Sequence, residues 1–534
     1  MPNFFRKVNF NQIFWFLFYF FIFCLLLRNS YNYLDPDFGW HLQVGHEISL
    51  SRQVPTWNHY NYASPGTWVD HEWLSNLLLY LGFEQGGYLS ISIFFALLVI
   101  VVLWLLQRQA RQIWPDVPMG WLVFISALGI VASLPHFGIR LQELNLLFLP
   151  IVLLIIDHYD RIKNWRILLF FPPLFYLWAC LHAGFLIGLF ILASWLAVKI
   201  GQRLLARFWP RPEINFSGLL RGKEALIFFG IIVISCLVTM MTPYRLGLYS
   251  FLSGYSSTFY QSHIQEWLSQ SAFPFYYWQL FYLSLVIGLS GLYIYETFAR
   301  KKASELDLWQ LFLVVVFVVL SFKSRRHFPL MFVATFGWLV QAWRHTFGGL
   351  IKKPGRKGLN RWLSFYLLFC LLIVSACQLI QTKFTPDPSQ AFCDDYPCGA
   401  AGFLRANQEL RGINMFNDYG WGGYLIWQLP DWPIFIDGRL PQTALAGHTY
   451  LEEYYEFSKT DENIAKKLDQ YDIRLALIPA RIKAVQAKSW EKFLFGIRDE
   501  DLKPNTNLRD YFYKTKGWQL IYNDKSALLF QRFD

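Results

Sequence analysis

The sequence predicts a helical protein that crosses a membrane several times and carries an α/β domain at its C-terminal end. The first observation is composition: 54% of the 534 residues are hydrophobic, 19% are aromatic and only 16% are charged. These values exclude a disordered chain and are untypical of a soluble enzyme. The second observation is a change after residue 380, where charges become frequent and apolar runs become short. We therefore expect a membrane domain over residues 1–380 and an α/β domain over residues 381–534.

About eleven apolar runs approach the roughly 20 residues that a helix needs to cross hydrocarbon. The first run lacks a small-residue cleavage site, so we interpret it as an uncleaved helix and not as a signal peptide. The stretch 167–200 is divided into two short helices, which makes the number of crossings odd. The predicted spans are 13–27, 88–107, 119–135, 140–157, 167–179, 183–200, 224–241, 276–297, 307–322, 328–343 and 361–380.

The basic residues are distributed unevenly along the chain. Residues 1–380 have a net charge of +13 and residues 381–534 a net charge of −2, so the basic excess does not indicate nucleic acid binding. With Arg6 and Lys7 in the cytoplasm, 22 of the 29 Lys and Arg residues of the membrane domain fall on the cytoplasmic side, as the positive-inside rule requires. We therefore expect a plasma-membrane protein with a cytoplasmic N-terminus and an extracytoplasmic C-terminal domain.

Two acidic clusters lie in the first external loop, residues 28–87. Asp35 and Asp37 follow the first span directly, at a depth where charge is costly and seldom accidental. Asp70 and Glu72 close the same loop before the next span. We predict that the catalytic residues are among these four carboxylates, one of which can act as general base. In the alternative interpretation the first pair caps a surface helix and the second pair is ordinary loop polarity.

Carboxylates gathered at one membrane face can also hold a divalent cation such as Mg²⁺ or Mn²⁺ through oxygen ligands. We expect Asp35, Asp37 and His41 to be the ligands of such a cation. Zinc binding by histidines is less well supported, because no compact two-histidine motif is present.

A basic group lies on the same predicted side, between the ninth and tenth spans. Arg325, Arg326 and His327 oppose the charge bias of the other loops, and arginines suit the binding of a phosphate leaving group. We predict that these residues bind a donor phosphate. The alternative is that they are ordinary anchors at the membrane interface.

The C-terminal domain shows alternating strand and helix patterns. Asn523-Asp524 favours a hairpin between the last two strands, and Cys393 with Cys398 would form a disulfide in an oxidising compartment. The predicted strands are 413–416, 433–436, 474–478, 519–522 and 526–531, and the predicted helices are 399–411, 442–458 and 462–470.

The layout of the first loop resembles that of the GT-C superfamily of membrane glycosyltransferases. These proteins carry an acidic motif directly after the first transmembrane helix, followed by a loop with surface helices, and the matching stretch here runs from Asp35 to Leu79. Asp35-Pro36 followed by Phe38 is also similar to the Asp-Pro-x-Phe pattern in the catalytic subunit of oligosaccharyltransferases. The chain is most similar to uncharacterised bacterial multi-pass members of the superfamily.

A second resemblance lies in the C-terminal domain, in the glycine-rich stretch 417–424. It is similar to the Trp-Trp-Asp-Tyr-Gly motif with which oligosaccharyltransferases recognise the acceptor sequon, although Phe416 and Asn417 replace the two tryptophans. The resemblance implies that an acceptor contacts Asp418, Tyr419 and Trp421; a tight turn before a packed helix is the alternative interpretation. We also predict that Glu266, in the external loop 242–275, contacts the acceptor, and the alternative is an ordinary loop acid.

The resemblance implies a glycosyltransferase that moves a sugar from a polyprenyl-phosphate-type lipid donor to a glycan, lipid or protein acceptor of the cell envelope. Membrane lipids would surround the helical bundle, and no nucleic acid partner is expected. One alternative is a transporter or flippase of lipid-linked glycan, which would require charged groups and broken helices near the membrane midplane. Another is a non-catalytic scaffold for envelope assembly.

Overall fold

The structure is a computed structural model. It describes residues 10–208, 219–256, 258–300, 306–348, 357–382, 384, 387–445, 447–482 and 484–533. Arg6 and Lys7, which contribute to the predicted orientation, lie outside these ranges.

Each predicted apolar run overlaps a helix, because these runs contain few residues that interrupt helical hydrogen bonding. Among the described residues, seven helices are long and apolar enough to cross a membrane, and shorter apolar helices accompany them. The prediction of a multi-pass helical protein is therefore confirmed. The elements of this part are α1 (Phe10–Asn32), α2 (Phe38–Ser51), β1 (Trp57–Asn58), β2 (Gly66–Thr67), α3 (Trp73–Ile113), α4 (Met119–Ser133), α5 (Leu144–Ile162), α6 (Phe171–Leu181), α7 (Phe185–Phe208), α8 (Gly222–Thr239), α9 (Leu246–Ser253), α10 (Thr258–His263), α11 (Tyr277–Ala299), α12 (Leu308–Lys323), α13 (Phe328–Phe347) and α14 (Lys357–Ile380).

Helix α3 consists of two helical segments that meet at Gly87. This glycine has φ 64° and ψ −163°, a backbone conformation that glycine adopts without steric cost. The second segment begins where the predicted span 88–107 begins. The first segment belongs to the long loop after α1, as does α2, which is the predicted surface helix.

The C-terminal part contains a four-stranded sheet with several short helices. The strand order is β3-β6-β8-β7; β3 and β6 are parallel, whereas β8 pairs antiparallel with both β6 and β7. The predicted α/β class and terminal hairpin are confirmed, and Cys393 is bonded to Cys398. The elements are α15 (Pro388–Ala391), α16 (Cys398–Ala406), β3 (Asn414–Asn417), α17 (Gly422–Gln428), β4 (Ala444–Leu445), β5 (His448–Thr449), α18 (Tyr450–Glu456), α19 (Asp461–Gln470), β6 (Ile473–Pro479), α20 (Ser489–Phe495), α21 (Asn507–Lys514), β7 (Trp518–Asn523) and β8 (Ala527–Arg532).

Three elements of this part differ from the prediction, and the first is the helix predicted over 399–411, which ends as α16 at Ala406. The apolar run 433–436 is not a strand, because the backbone N–H of Ile434 donates to the carbonyl of Tyr60 and that of Phe435 to the side chain of Asn417. Isolated bridges from Ile434 replace a continuous ladder. The helix predicted over 442–458 begins only at Tyr450, because the residues before it form the hairpin of β4 and β5.

The buried apolar residues form two cores. One lies inside the helical bundle, and the other unites the loop after α1 with the C-terminal part. In the second core α2 packs on α17, where Gly39 and Gly423 lie so close that a Cβ atom on Gly39 would collide with the Gly423 carbonyl. The Phe38 and Trp427 rings meet edge to face at 5.7 Å beside this crossing. The C-terminal part is thereby held over the acids of the first loop.

Candidate functional site

A cavity of about 530 Å³ lies where the helical bundle meets the C-terminal part. Its walls come from the connections between bundle helices, from the loop after α1 and from two turns of the C-terminal part. Several lining residues lie on short 3-10 turns, in which the chain reverses between helices. The polar lining residues include Asp35, Asp37, His41, His71, Glu72, His136, Arg140, Glu143, His182, Glu266, Arg326, His327, Tyr419 and Arg439.

Asp35 belongs to a buried chain of charges. Its Oδ2 atom lies 2.7 Å from Nε of Arg140, and Arg140 also pairs with Glu266 through its NH1 group. Burial opposes the ionisation of Glu266, but Arg140 and Arg326 outweigh burial and lower the Glu266 pKa to about 2. Arg140 therefore joins the first loop to the loop before α11, and its one guanidinium is shared by two carboxylates.

Asp37 has no such cationic partner. It is the residue before α2, but its side chain makes no helix-capping hydrogen bond; its Oδ1 instead accepts from the indole N–H of Trp40 at 2.9 Å. The carboxylate lies against Gly438 of the C-terminal part, where a Cβ atom would collide with Oδ1. Burial, together with the neighbouring Asp35, raises the Asp37 pKa to about 7. The capping interpretation of this residue is therefore wrong.

Glu72 lies among three histidines. The distances from its carboxylate oxygens are 3.0 Å to Nε2 of His182, 3.7 Å to Nε2 of His71 and 3.9 Å to Nε2 of His41. The Nδ1 atom of His182 accepts from the backbone N–H of Gly184 at 3.0 Å, so the ring hydrogen is on Nε2 and donates to Glu72. Burial opposes the charged form, but His71 and His182 hold the Glu72 pKa well below its usual range.

Asp70 lies behind this cluster and does not line the cavity. Its Oδ1 accepts from the backbone N–H of Glu72 at 3.1 Å and its Oδ2 from the amide of Asn76 at 2.8 Å. Burial raises the Asp70 pKa to about 7. Asn76 also bonds Nδ1 of His41 at 2.6 Å, so Asp70 positions the start of α3 and, through Asn76, the ring of His41.

The residues predicted to bind a cation are only partly brought together. Asp35 and Asp37 both face the cavity, whereas the ring nitrogens of His41 are directed at Asn76 and Glu72. Within the described part of the chain, no group of three acidic, histidine or cysteine side chains has the geometry of a metal site. The negative charge around Asp35 and Asp37 nevertheless suits a cation. The single positive charge of Arg140 is shared between Asp35 and Glu266, and the donor to Asp37 is the neutral indole of Trp40.

The basic turn between α12 and α13 places its three residues differently. Arg326 and His327 line the cavity, and the Arg326 guanidinium lies 5.0 Å from the ring centre of Trp267. Burial and Arg326 lower the His327 pKa to about 4, so this ring is neutral near pH 7. Arg325 points away: it is fully buried, lies over the ring of Tyr276 at 4.6 Å and donates to a backbone carbonyl.

Of the predicted acceptor residues, Glu266 and Tyr419 line the cavity and two others do not. Asp418 accepts from the backbone N–H of Gly420 at 2.9 Å, and the indole of Trp421 is buried and donates to a backbone carbonyl at 2.9 Å. The Asn417 side chain, fully buried, bonds backbone groups of the run 433–436. The glycine-rich stretch thus forms a turn before the packed helix α17, with Tyr419 at the cavity wall.

Several cavity residues were not recognised from the sequence, among them Arg140, His136 and Arg439. Arg140 opposes the positive-inside bias in the same way as Arg325, so its charge was an available signal. His136 is buried, and neither of its ring nitrogens has a hydrogen-bond partner among the described residues. No feature of the sequence indicated Arg439, because its role depends on contacts with the first loop, which is distant in the chain.

Arg439 connects the two sides of the cavity. It forms an ion pair of 2.8 Å with Asp437 and donates to the side-chain carbonyl of Asn61 at 2.9 Å. Its guanidinium lies between two rings, 4.5 Å from the centre of Tyr60 and 4.6 Å from that of Trp68. Cation–π contacts of this kind are strong when they are desolvated, so Arg439 fixes the C-terminal part on the first loop.

The fold is similar to that of solved archaeal oligosaccharyltransferases from Archaeoglobus fulgidus. The apo form has a TM-score of 0.54 with 10% identity, over 89% of this chain and 70% of that chain. AglB in complex with an inhibitory peptide and a dolichol-phosphate has a TM-score of 0.54 with 9% identity, over 98% and 74%. The form tethered to an acceptor peptide with the NVT sequon has a TM-score of 0.51 with 10% identity, over 99% and 74%.

No protein-family model matches the chain, and no curated protein matches it. The structural similarity confirms the predicted GT-C-like fold, with multiple membrane helices and a C-terminal domain. At about 10% identity the similarity concerns the fold, and the chemistry must be argued from the cavity itself.

Proposed function

We propose that the protein is a membrane glycosyltransferase that transfers a sugar from a polyprenyl-phosphate-type lipid to an acceptor hydroxyl of the cell envelope, at the extracytoplasmic face. The observation that carries this proposal is the meeting of Asp37 and Arg326 in one cavity at the end of the bundle. A base and a phosphate-binding cation in one water-accessible site are what transfer from a phosphate leaving group requires. The similarity of fold to oligosaccharyltransferases supports the same reaction class.

In this mechanism Asp37 is the general base. Its pKa of about 7 is close to the optimum for a base that works near neutral pH. Asp37 takes the proton of the acceptor hydroxyl while the hydroxyl oxygen attacks the anomeric carbon from the face opposite the phosphate. The bond between the anomeric carbon and the phosphate oxygen breaks, so the products are the inverted glycoside and the free lipid phosphate or diphosphate.

Arg326 would hold the phosphate as negative charge develops on it. The positive charge of Arg326 at the cavity wall would stabilise the phosphate directly. The neutral His327 ring, and His136, whose ring nitrogens have no hydrogen-bond partner among the described residues, would donate hydrogen bonds to the phosphate. Arg325 is not assigned this role, because its guanidinium is buried against Tyr276 and Ala272.

The lipid tail would enter from the bundle side of the cavity. That wall includes Leu146 of α5, Leu186 and Ile187 of α7, and Leu330 of α13. Leu186 lines the cavity and is 38% exposed, so this apolar wall is accessible to a hydrocarbon chain. An isoprene chain could therefore remain in apolar surroundings while its phosphate contacts the polar wall.

The same two acids, Asp35 and Asp37, could instead hold a divalent cation, in which case Asp37 would be a ligand of the cation and would not take the proton. Such a cation would neutralise the developing charge of the phosphate and would lower the cost of two adjacent buried carboxylates. Asp35 is kept in place for this task by Arg140. The acceptor would lie on the opposite wall, against Tyr419 and the glycines of the C-terminal part.

The decisive experiment measures lipid-linked sugars in cells that lack the protein. Deletion should cause a polyprenyl-linked sugar to accumulate; wild-type protein and Glu47→Gln should reverse the accumulation, and Asp37→Asn should not. Glu47 is a matched control, because this acid of the same loop bonds Tyr60 and Gln43 and does not line the cavity. Reversal by Asp37→Asn would contradict the proposal. An assay of the purified protein distinguishes a glycosyltransferase from a flippase. A glycosyltransferase should release free lipid phosphate from the accumulated donor, whereas a flippase should leave the donor intact.

A further inference from the structure

The short helix α20 exposes an unusually apolar surface for a domain in water. Three consecutive side chains, Phe493, Leu494 and Phe495, are 85%, 64% and 53% exposed, and Trp490 is 44% exposed. Contiguous apolar patches of this kind on a soluble surface mark contact with another molecule or with a membrane.

The position of α20 in the fold indicates which of these it contacts. The Phe495 ring lies 4.3 Å from that of Phe275, and the Trp490 ring lies 5.6 Å from that of Tyr277. The Tyr277 hydroxyl also donates to the Glu491 carboxylate. Tyr277 is the first residue of α11, a helix long and apolar enough to cross the membrane, so α20 lies beside the end of a membrane span.

The apolar surface continues from α20 onto this span. Trp278 and Phe281, in the first turns of α11, are 59% and 52% exposed. Exposed aromatic residues at the end of a span are typical of the interface between membrane and water. The segment 481–498, which contains α20, has five basic residues and one acid, but three acids follow at 499–501, so the argument for contact with lipid rests on the exposed aromatic side chains.

We propose that α20 inserts its apolar side chains into the lipid headgroup region and anchors the C-terminal domain to the bilayer surface. Successive helical residues are separated by about 100° around the axis, so Phe493 and Phe495 point in directions that are about 160° apart. A flat protein surface could not cover all three consecutive side chains. Fluid lipid can fill all the sides of α20 that its contacts with Phe275 and Tyr277 leave open, and it is the occupant that this geometry favours.

The test uses the full-length protein in vesicles of phosphatidylethanolamine and phosphatidylglycerol. The photo-crosslinking residue p-benzoylphenylalanine replaces Phe493, and after illumination the protein is analysed for phospholipid adducts by mass spectrometry. The matched control carries the same residue at Tyr513, an aromatic residue that is 57% exposed and packs on Phe530 of the sheet.

We expect phospholipid adducts at position 493 and none above background at position 513. Equal adduct yields at the two positions, no lipid adduct at 493, or crosslinks from 493 to a second protein chain would each overturn the proposal. If the variant at 493 does not elute as a folded protein in size-exclusion chromatography, the same residue at Leu494 decides the question.

Discussion

The Nε atom of Arg140 lies 2.7 Å from Oδ2 of Asp35, and the same guanidinium pairs with Glu266, which is 126 residues away in the chain. Three segments that are separate in sequence thus meet at the buried guanidinium of Arg140. The arrangement holds one acid of the first loop in place and leaves its neighbour Asp37 without a cationic partner. The predictions below test the different roles that this geometry assigns to the two acids, to the arginines and to a bound cation.

Asp37→Asn should reduce sugar transfer by about 10²–10⁴, the usual cost of losing a positioned general base. The amide is nearly isosteric and can still accept the hydrogen bond from Trp40, so the protein should remain folded. Transfer by the purified variant, measured beside Glu47→Gln, checks this prediction. Unchanged transfer in Asp37→Asn would remove this residue from the mechanism and direct attention to Glu72.

The pKa of Asp37 also predicts a dependence of stability on pH. The carboxyl has a pKa of about 7 in the folded protein and an ordinary value of about 4 in the unfolded chain. The folded state therefore keeps a proton that the unfolded chain loses between about pH 4 and pH 7, so the free energy of unfolding falls as pH rises through this window. In Asp37→Asn the stability gain over wild type should be largest above pH 7 and should vanish below pH 4. Thermal unfolding in detergent, without added divalent cations, measures the difference, and a gain that is the same at every pH would contradict the assignment.

Arg140→Gln should destabilise the fold strongly. Removing one partner of a buried ion pair typically costs about 3–5 kcal/mol, because a charge is left buried and uncompensated; here both Asp35 and Glu266 lose their partner. The unfolding temperature should fall clearly and should recover in part at low pH, where carboxylates accept protons. A variant as stable as wild type would show that solvent or another cation compensates these acids.

Arg326→Gln and Arg325→Gln should have different effects although the residues are adjacent. Arg326 faces the cavity, so its loss should weaken donor binding by roughly 10- to 100-fold, the value of a hydrogen bond to a charged group. Arg325 is buried against Tyr276, so its loss should lower the unfolding temperature with little effect on the donor KM. Donor titrations and thermal unfolding of both variants test this prediction, and the reverse pattern would exchange the two roles.

A divalent cation should stabilise the wild-type protein, because a ligand that binds only the folded state raises its stability with concentration. Mg²⁺ or Mn²⁺ should increase the unfolding temperature, and a chelator should reverse the increase. The double variant Asp35→Asn with Asp37→Asn should lose the response, and Glu47→Gln should keep it. A response that persists in the double variant would place the cation elsewhere.

Much of the fold was predictable from the sequence because hydropathy is a local property. The boundary at Gly87 and the division of 167–200 into α6 and α7 follow from residues that lie close together in the chain. The prediction for the run 433–436 was wrong for the opposite reason. Its backbone groups are satisfied by Tyr60 and Asn417, and no local pattern reports such distant partners.

The candidate site was predictable only in part. Charge that opposes the positive-inside rule, and acids at the end of a span, identified Asp35, Asp37, Glu72 and Arg326, which line the cavity. The same criteria also selected Arg325, because charge statistics do not distinguish the direction of adjacent side chains on a 3-10 turn. The role of Arg326 remains a prediction for the donor titrations above, and the orientation of the molecule in the membrane remains a prediction.

By itself the sequence determined the helical membrane class, the α/β character of the C-terminal domain and the gathering of acids and an arginine at one end of the bundle. These properties depend on the free energy of transferring local segments between water and lipid. The composition and periodicity of a segment indicate that free energy without knowledge of the rest of the chain. Only the tertiary structure decided that Arg140 pairs with Asp35, that His182 donates to Glu72 and that Arg439 joins the domain to the first loop. Such pairings depend on which distant side chains packing brings within hydrogen-bond range, because the strength of a buried ion pair or hydrogen bond is set by distance and desolvation and not by separation along the chain.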